Sequence, residues 1–178
     1  MKKTAVVYYS KHGATKRYAE WIAEETGADL FDGSSVSVRD LVSYDIIVLG
    51  GGIYSGGIRG LELFQKNIKR KFAGKDLIVF AVGISIDDEE NRKQCAKINF
   101  VKKLAGLPYI FLPGAFDPAA VTGIDKGIIN FTKKMIDGGS GNAFAAKLLD
   151  YFENGCDLID RERIEPLVDR IKASQERE

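Results

Sequence analysis

Two hydroxyls, an imidazole and a glycine stand close together in Ser10-Lys11-His12-Gly13-Ala14-Thr15. The β-branched and aromatic run Thr4–Tyr9 precedes them and a helical pattern follows, so this loop joins a strand to a helix start. Backbone N–H groups and the positive end of a helix dipole then face one spot, which suits a phosphate dianion. Gly13 allows the turn and a close backbone approach, while Ser10 and Thr15 add hydroxyl donors. The same hydroxyls could serve only as helix caps, and the loop alone leaves both uses open. No Gly-Lys-Ser/Thr follows a four-residue spacer, which disfavours ATP or GTP hydrolysis. Dinucleotide Gly-x-Gly-x-x-Gly spacing is absent as well.

Two further strand-to-loop junctions carry candidate chemistry. Gly50-Gly51-Gly52-Ile53-Tyr54-Ser55-Gly56-Gly57 is expected to form a loop that brings its backbone against a flat ligand, because no Cβ obstructs the approach at its glycines. Tyr54 offers an aromatic face for a ring system; a half-buried surface aromatic is the plainer reading. Gly83-Ile84-Ser85-Ile86-Asp87-Asp88 offers backbone donors and Ser85. Its acidic pair reads as the N-cap of the next helix rather than as a metal or catalytic pair.

These junctions need elements behind them. Apolar runs of strand length alternate with segments of helical period, the pattern of a parallel sheet covered on both faces. Strands are expected at Thr4–Tyr9, Ala28–Asp32, Asp45–Leu49, Leu77–Val82 and Leu107–Phe116. Helices are expected at Thr15–Thr26, Ile58–Phe72 and Glu89–Leu104 (with Cys95, Ile98 and Val101 inside), and one helical turn at Val38–Ser43. The rhythm then fails over Asp117–Gly155, which reads as an insert with helices at Lys126–Ile136 and Ala143–Phe152 joined by Gly138-Gly139-Ser140-Gly141. A resumed strand at Cys156–Asp160 and a closing helix at Arg161–Lys172 with a solvated Glu-Arg-Glu tail complete the chain. In an open parallel sheet the three loops share the carboxyl edge, where ligands bind at the topological switch point.

Composition bounds the rest. The 178 residues carry a formal net charge of +1 and are 45% apolar, which fits one globular domain. Neither a dense basic run with interleaved aromatics nor an apolar stretch of about 20 residues occurs, so nucleic acid and a transmembrane segment are not expected. No signal peptide is read at Met1–Tyr9, and two separated thiols, Cys95 and Cys156, suit a reducing cytoplasm.

Taken together, the three loops resemble those of flavodoxins. The first is similar to that family's Ser/Thr-x-Thr/Ser-Gly-x-Thr phosphate signature, met by Ser10, Gly13 and Thr15, with His12 at the usual hydroxyl position. An imidazole N–H also donates, and a solvated loop histidine is the alternative. The resemblance implies a flavodoxin-like α/β fold over residues 1–178: a doubly wound, five-stranded parallel sheet of strand order 2-1-3-4-5. An insert at about 117–155 splits its fifth strand. It implies FMN as cofactor, held by Ser10, Lys11, His12, Gly13, Ala14 and Thr15. The isoalloxazine ring would lie between Gly51, Gly52, Ile53, Tyr54, Ser55 and Gly56 on one side and Gly83, Ile84 and Ser85 on the other. Neither a catalytic side chain nor a metal is implied. The glycines and the family together suggest that the Gly51-Gly52 backbone turns a carbonyl toward the reduced flavin.

Small electron-shuttle flavodoxins are typically strongly acidic, and this chain is not. Its insert, its Gly50–Gly57 loop and the Lys133-Lys134-Met135 helix ending at Gly138-Gly139 look more like the menaquinone-dependent protoporphyrinogen dehydrogenases. Those flavodoxin-fold enzymes pass electrons from a reduced porphyrin to quinone. The expected partners are thus a redox protein, a quinone or a small-molecule substrate. For the insert, a structural cover or a homodimer surface stands beside a substrate site. A signalling receiver of the same topology needs acidic residues after its first strand and an aspartate after its third. Here those strands end in Tyr9-Ser10-Lys11 and in glycines.

Overall fold

In the computed structural model, which describes residues 1–137 and 143–177, the apolar runs pair as expected. Strand β1 (Thr4–Tyr9) lies between β2 (Asp29–Asp32) and β3 (Ile46–Tyr54); β5 (Asp76–Gly83) and the edge strand β6 (Tyr109–Pro113) follow, all parallel. A two-residue β4 (Gly57–Ile58) folds back antiparallel on the end of β3. With β4 set aside, the order is the expected 2-1-3-4-5. Successive residues of each strand feed opposite cores. Val6, Val48, Phe80 and Val82 pack with Tyr18 and Ile22 of α1 (Ala14–Thr26) and Leu167 and Ile171 of α7 (Glu165–Glu176). Val7, Leu49, Val79 and Ala81 pack with Phe64 of α3 (Leu61–Asn67), Phe72 and Cys95 of α4 (Glu89–Asn99). Both sheet faces are therefore buried, the condition under which parallel strands read as unbroken apolar runs.

Several boundaries differ from the sequence expectation. The helix expected from Ile58 starts only at Leu61, because Ile58 pairs with Ile53 and Gly60 takes φ 84° before the first turn. The helix expected through Leu104 ends at Asn99; Ile98 and Val101 are 52% and 40% exposed rather than inside. The expected helical turn is α2 (Val38–Leu41), and the closing helix runs on to Glu176, anchored where Gln175 donates to Thr4 Oγ1 and to the Thr26 carbonyl.

The fifth run breaks at Gly114. Its N–H makes a last bond to Gly83, where β5 stops, and β7 (Ala115–Phe116) turns away to pair antiparallel with β8 (Cys156–Asp157). The strand expected at Cys156–Asp160 is thus two residues long and outside the main sheet. Between these strands the insert forms α5 (Gly123–Asp137) and α6 (Ala143–Asn154); the Gly138–Gly141 link lies outside the described residues. Tyr18, fully buried, fastens the insert's roots to α1: its hydroxyl donates to the Pro113 carbonyl at 2.8 Å and accepts from the Asp160 N–H at 2.9 Å.

A surface bond near β2 sets an alkaline response. Tyr44 Oη donates to Asp29 Oδ2 at 2.7 Å, which, ahead of burial, pushes the phenol up from 10.0 to about 12. Because the folded value is the higher one, the stabilisation is complete below pH 10 and is lost as pH rises toward 12. Solvent screening limits it to about 1 kcal/mol or less. Urea unfolding of Tyr44→Phe should show a deficit of that size near neutral pH that vanishes toward pH 12.

Candidate functional site

The sheet's carboxyl edge brings the three junctions around one cavity of about 300 Å³. At its polar end the chain leaves β1 and enters α1 through Gly13, which is the helix N-cap with φ 93°. Among the described residues no side chain caps this helix; Ser10 Oγ instead accepts the Gly13 N–H at 3.1 Å within the loop. The first-turn N–H groups have no intrahelical partner by geometry, so they are available to an anion. Thr15, only 4% exposed, and His12 line the cavity beside them. This is a donor set without an acidic member, as a phosphate requires.

The second junction is more ordered than a loop. β3 continues through Gly50, Gly51 and Gly52, which pair with Phe80, Ala81 and Val82 of β5. The turn to β4 is then the two residues Ser55 and Gly56, with φ 49° and 82°. Positive φ at both central positions defines the tight hairpin turn whose twist matches its strands. This corrects the expectation of an open glycine loop. Gly50 and Gly51 serve packing: a Cβ at Gly50 would meet the Phe80 ring at 2.0 Å, and one at Gly51 the Arg59 carbonyl oxygen at 2.2 Å. The Gly51-Gly52 backbone is held by the ladder and by the Arg59 N–H bond to the Gly52 carbonyl at 3.1 Å. Tyr54 lines the cavity, its ring over Gly52 and 6.3 Å from the His12 ring.

Asn99, at the end of α4, holds the hairpin in place. Its Nδ2 donates to the Gly56 carbonyl at 2.6 Å and its Oδ1 accepts the Ile58 N–H at 2.9 Å. Asn99→Ala leaves both backbone groups without these bonds, a loss of about 1–3 kcal/mol. Urea unfolding should report it, together with faster amide exchange at Ile58.

In the third junction Ser85 and Ile84 line the cavity. Asp88 caps α4 by accepting the Asn91 N–H at 2.9 Å, as the sequence suggested. Asp87 reaches Lys147 of α6 at 3.5 Å, linking this loop to the insert. The remaining wall is apolar and comes from the insert and its root. Ile128 and Ile129 of α5, Leu148 and Phe152 of α6 and Phe116 of β7 face the same space, with Phe116 and Phe152 edge to face at 5.6 Å.

Of the residues singled out in the sequence, Ser10, His12, Ala14, Thr15, the run Gly52–Gly56 and the run Gly83–Ser85 line the cavity. Lys11, Gly13 and Gly51 do not. The insert wall was missed, since its Ile, Leu and Phe residues carry only helical periodicity and no motif. Burial pushes both the Cys95 and the Cys156 thiol up, away from the reactive thiolate form. Among the described residues, no helix is long and apolar enough to cross a membrane.

A sequence profile described as flavodoxin domain matches residues 5–142, so the chain belongs to the flavodoxin domain family. Solved structures with likeness to it include a WrbA-like flavodoxin from Agrobacterium tumefaciens, 26% identical, covering 60% of this chain and 73% of that one, with a TM-score of 0.47. Another is a flavoprotein in complex with FMN from Lactobacillus acidophilus, 19% identical over 64% of this chain and 93% of that one, TM-score 0.44. Oxidised flavodoxin 2 from Bacillus cereus is 20% identical over 62% and 84%, TM-score 0.44. No curated protein matches the chain.

Proposed function

We propose that the chain binds FMN in this cavity and acts in electron transfer or FMN-dependent oxidoreduction. The observation that carries the reading is the uncapped N-terminus of α1, with Ser10 and Thr15, opening into an apolar cavity. The residues present fit the group: donors without an acid stand where its phosphate would sit, and Tyr54, Ile53 and Ile84 offer flat apolar surface for its ring. When bound, flavin supplies the electron- and hydride-carrying chemistry. The chain's own work is to hold and orient it through the first-turn amides and hydroxyls, to press the Tyr54 hairpin against one face, and to keep water out with Phe116, Leu148 and Phe152. Purified protein should be yellow, lose its flavin on heating and be reversibly bleached by dithionite. A colourless protein that takes up no added FMN contradicts the reading.

A second, finer reading is a quinone-linked protoporphyrinogen IX dehydrogenase of the same fold. It is favoured by the insert contributing a whole apolar wall to the cavity rather than standing apart from it. Oxidation of protoporphyrinogen with menadione present supports the enzyme; flavin reduction without such turnover supports a carrier serving a redox partner protein.

A further inference from the structure

A second hollow, of about 240 Å³, adjoins the cavity described above. The two share Ile53, Ser55, Gly56 and Ser85, so the hairpin turn and the third junction form a common wall. The rest of the second hollow is Ile86 of the third junction and one face of α4, where Asn91, Gln94, Cys95 and Ile98 follow helical spacing.

Its charge is unusual for its surroundings. Arg92 is the one Lys or Arg side chain that lines either hollow among the described residues. Arg92 is half-buried as a residue; its guanidinium donates through Nη1 to the Ile86 carbonyl and makes no ion pair among the described residues. The nearby acids are engaged elsewhere: Glu89 and Glu90 with Lys93 at 2.9 and 3.1 Å, Asp87 with Lys147, and Asp88 with the Asn91 N–H. A guanidinium has five N–H donors, and one anchored to a carbonyl still presents a fork that matches a carboxylate. Partial burial without an opposite charge is unfavourable, and an anion arriving in the hollow would offset it. Beside that cation stand Ile53, Ile86 and Ile98, so the hollow pairs one positive charge with apolar surface.

We propose that this hollow receives an organic carboxylate with an apolar body, anchored by Arg92, and that Ser55, Gly56 and Ser85 form the wall across which it meets the cofactor cavity. This deepens the flavoprotein reading and rests on it, since it makes the reaction partner an organic acid rather than a neutral ring. Arg92, as the single cation lining the hollow among the described residues, suits a monoanionic carboxylate better than a phosphate dianion.

The test is a titration of the ¹⁵N-labelled, FMN-loaded protein with naphthalene-2-carboxylate, its neutral analogue 2-naphthamide, and phenyl phosphate. The expected result is saturable shifts at Ser55, Gly56, Ser85 and the Arg92 Nε–H, with the carboxylate at least tenfold tighter than the other two. Arg92→Met and Arg92→Gln should each abolish that preference. Equal binding of carboxylate and amide, a phosphate preference, shifts confined to Thr15 and Thr132, or an unchanged preference in both variants overturns the proposal. Flavin fluorescence is followed on the same samples, and the titration is repeated without FMN. Arg92-dependent carboxylate binding by a chain that takes up no FMN supports the anion site and refutes the cofactor reading alone. FMN uptake without carboxylate preference refutes the anion site alone.

Discussion

Replacing Ser10 by Ala and Thr15 by Val together should weaken FMN binding by roughly 100-fold or more while leaving riboflavin binding within about twofold of wild type. A hydrogen bond to a charged group contributes about 1.5–3 kcal/mol, so losing two corresponds to a factor of roughly 100 to 20,000. The lower end is expected because the first-turn amides of α1 stay in place and the helix has no side-chain cap to lose. Riboflavin lacks the phosphate, and its ring would still meet Tyr54, Ile53 and the insert wall. Equal losses for the two flavins would mean that the double variant disturbs the whole cavity. Unchanged FMN affinity would place the phosphate elsewhere. Fluorescence titration of the apo-protein with each flavin measures both.

The second large effect is on stability. A Cβ at Gly51 would lie 2.2 Å from the carbonyl oxygen of Arg59, a backbone atom fixed by the β3–β4 turn and by the Arg59 N–H bond to Gly52. No rotamer change relieves that contact, so Gly51→Ala must push the two backbones apart. Overpacking of this kind typically costs about 1–3 kcal/mol, and with backbone on both sides the upper end is expected. Gly13→Ala is the informative contrast: its Cβ meets nothing within 4 Å, and the cost is confined to holding alanine at φ 93°, about 1–2 kcal/mol. Urea unfolding should therefore rank Gly51→Ala below Gly13→Ala in stability. FMN affinity should rank them the other way, because Gly13 shapes the anion end of the cavity. A Gly51→Ala variant as stable as wild type would contradict this packing role.

The fold was legible because the physics that builds it is local and strong. Unbroken apolar runs such as IIVL before Gly50 and LIVFAV before Gly83 are what burial on two sheet faces demands, and both became central strands. The anion end was legible for a similar reason, since a strand-to-helix turn through a glycine is a short-range pattern. What could not be read was long-range. Gly50 and Gly51 look like a flexible loop in sequence, and only the positions of Phe80 and Arg59 reveal that their lack of a side chain is needed for close packing. The same holds for Asn99, an ordinary helix-end residue until its two bonds to the hairpin are seen. The insert's contribution was hidden most completely. Phe152 and Leu148 reach the cavity only because β7 and β8 close the insert's base and Tyr18 fastens its roots to α1.

Titrating apo-protein into FMN while following flavin fluorescence decides whether this cavity is an FMN site. Quenching should saturate at one flavin per chain, with riboflavin binding at least roughly 100-fold more weakly because it cannot use the Ser10–Thr15 loop. Fluorescence that stays at the free-flavin level through an excess of protein would contradict that assignment.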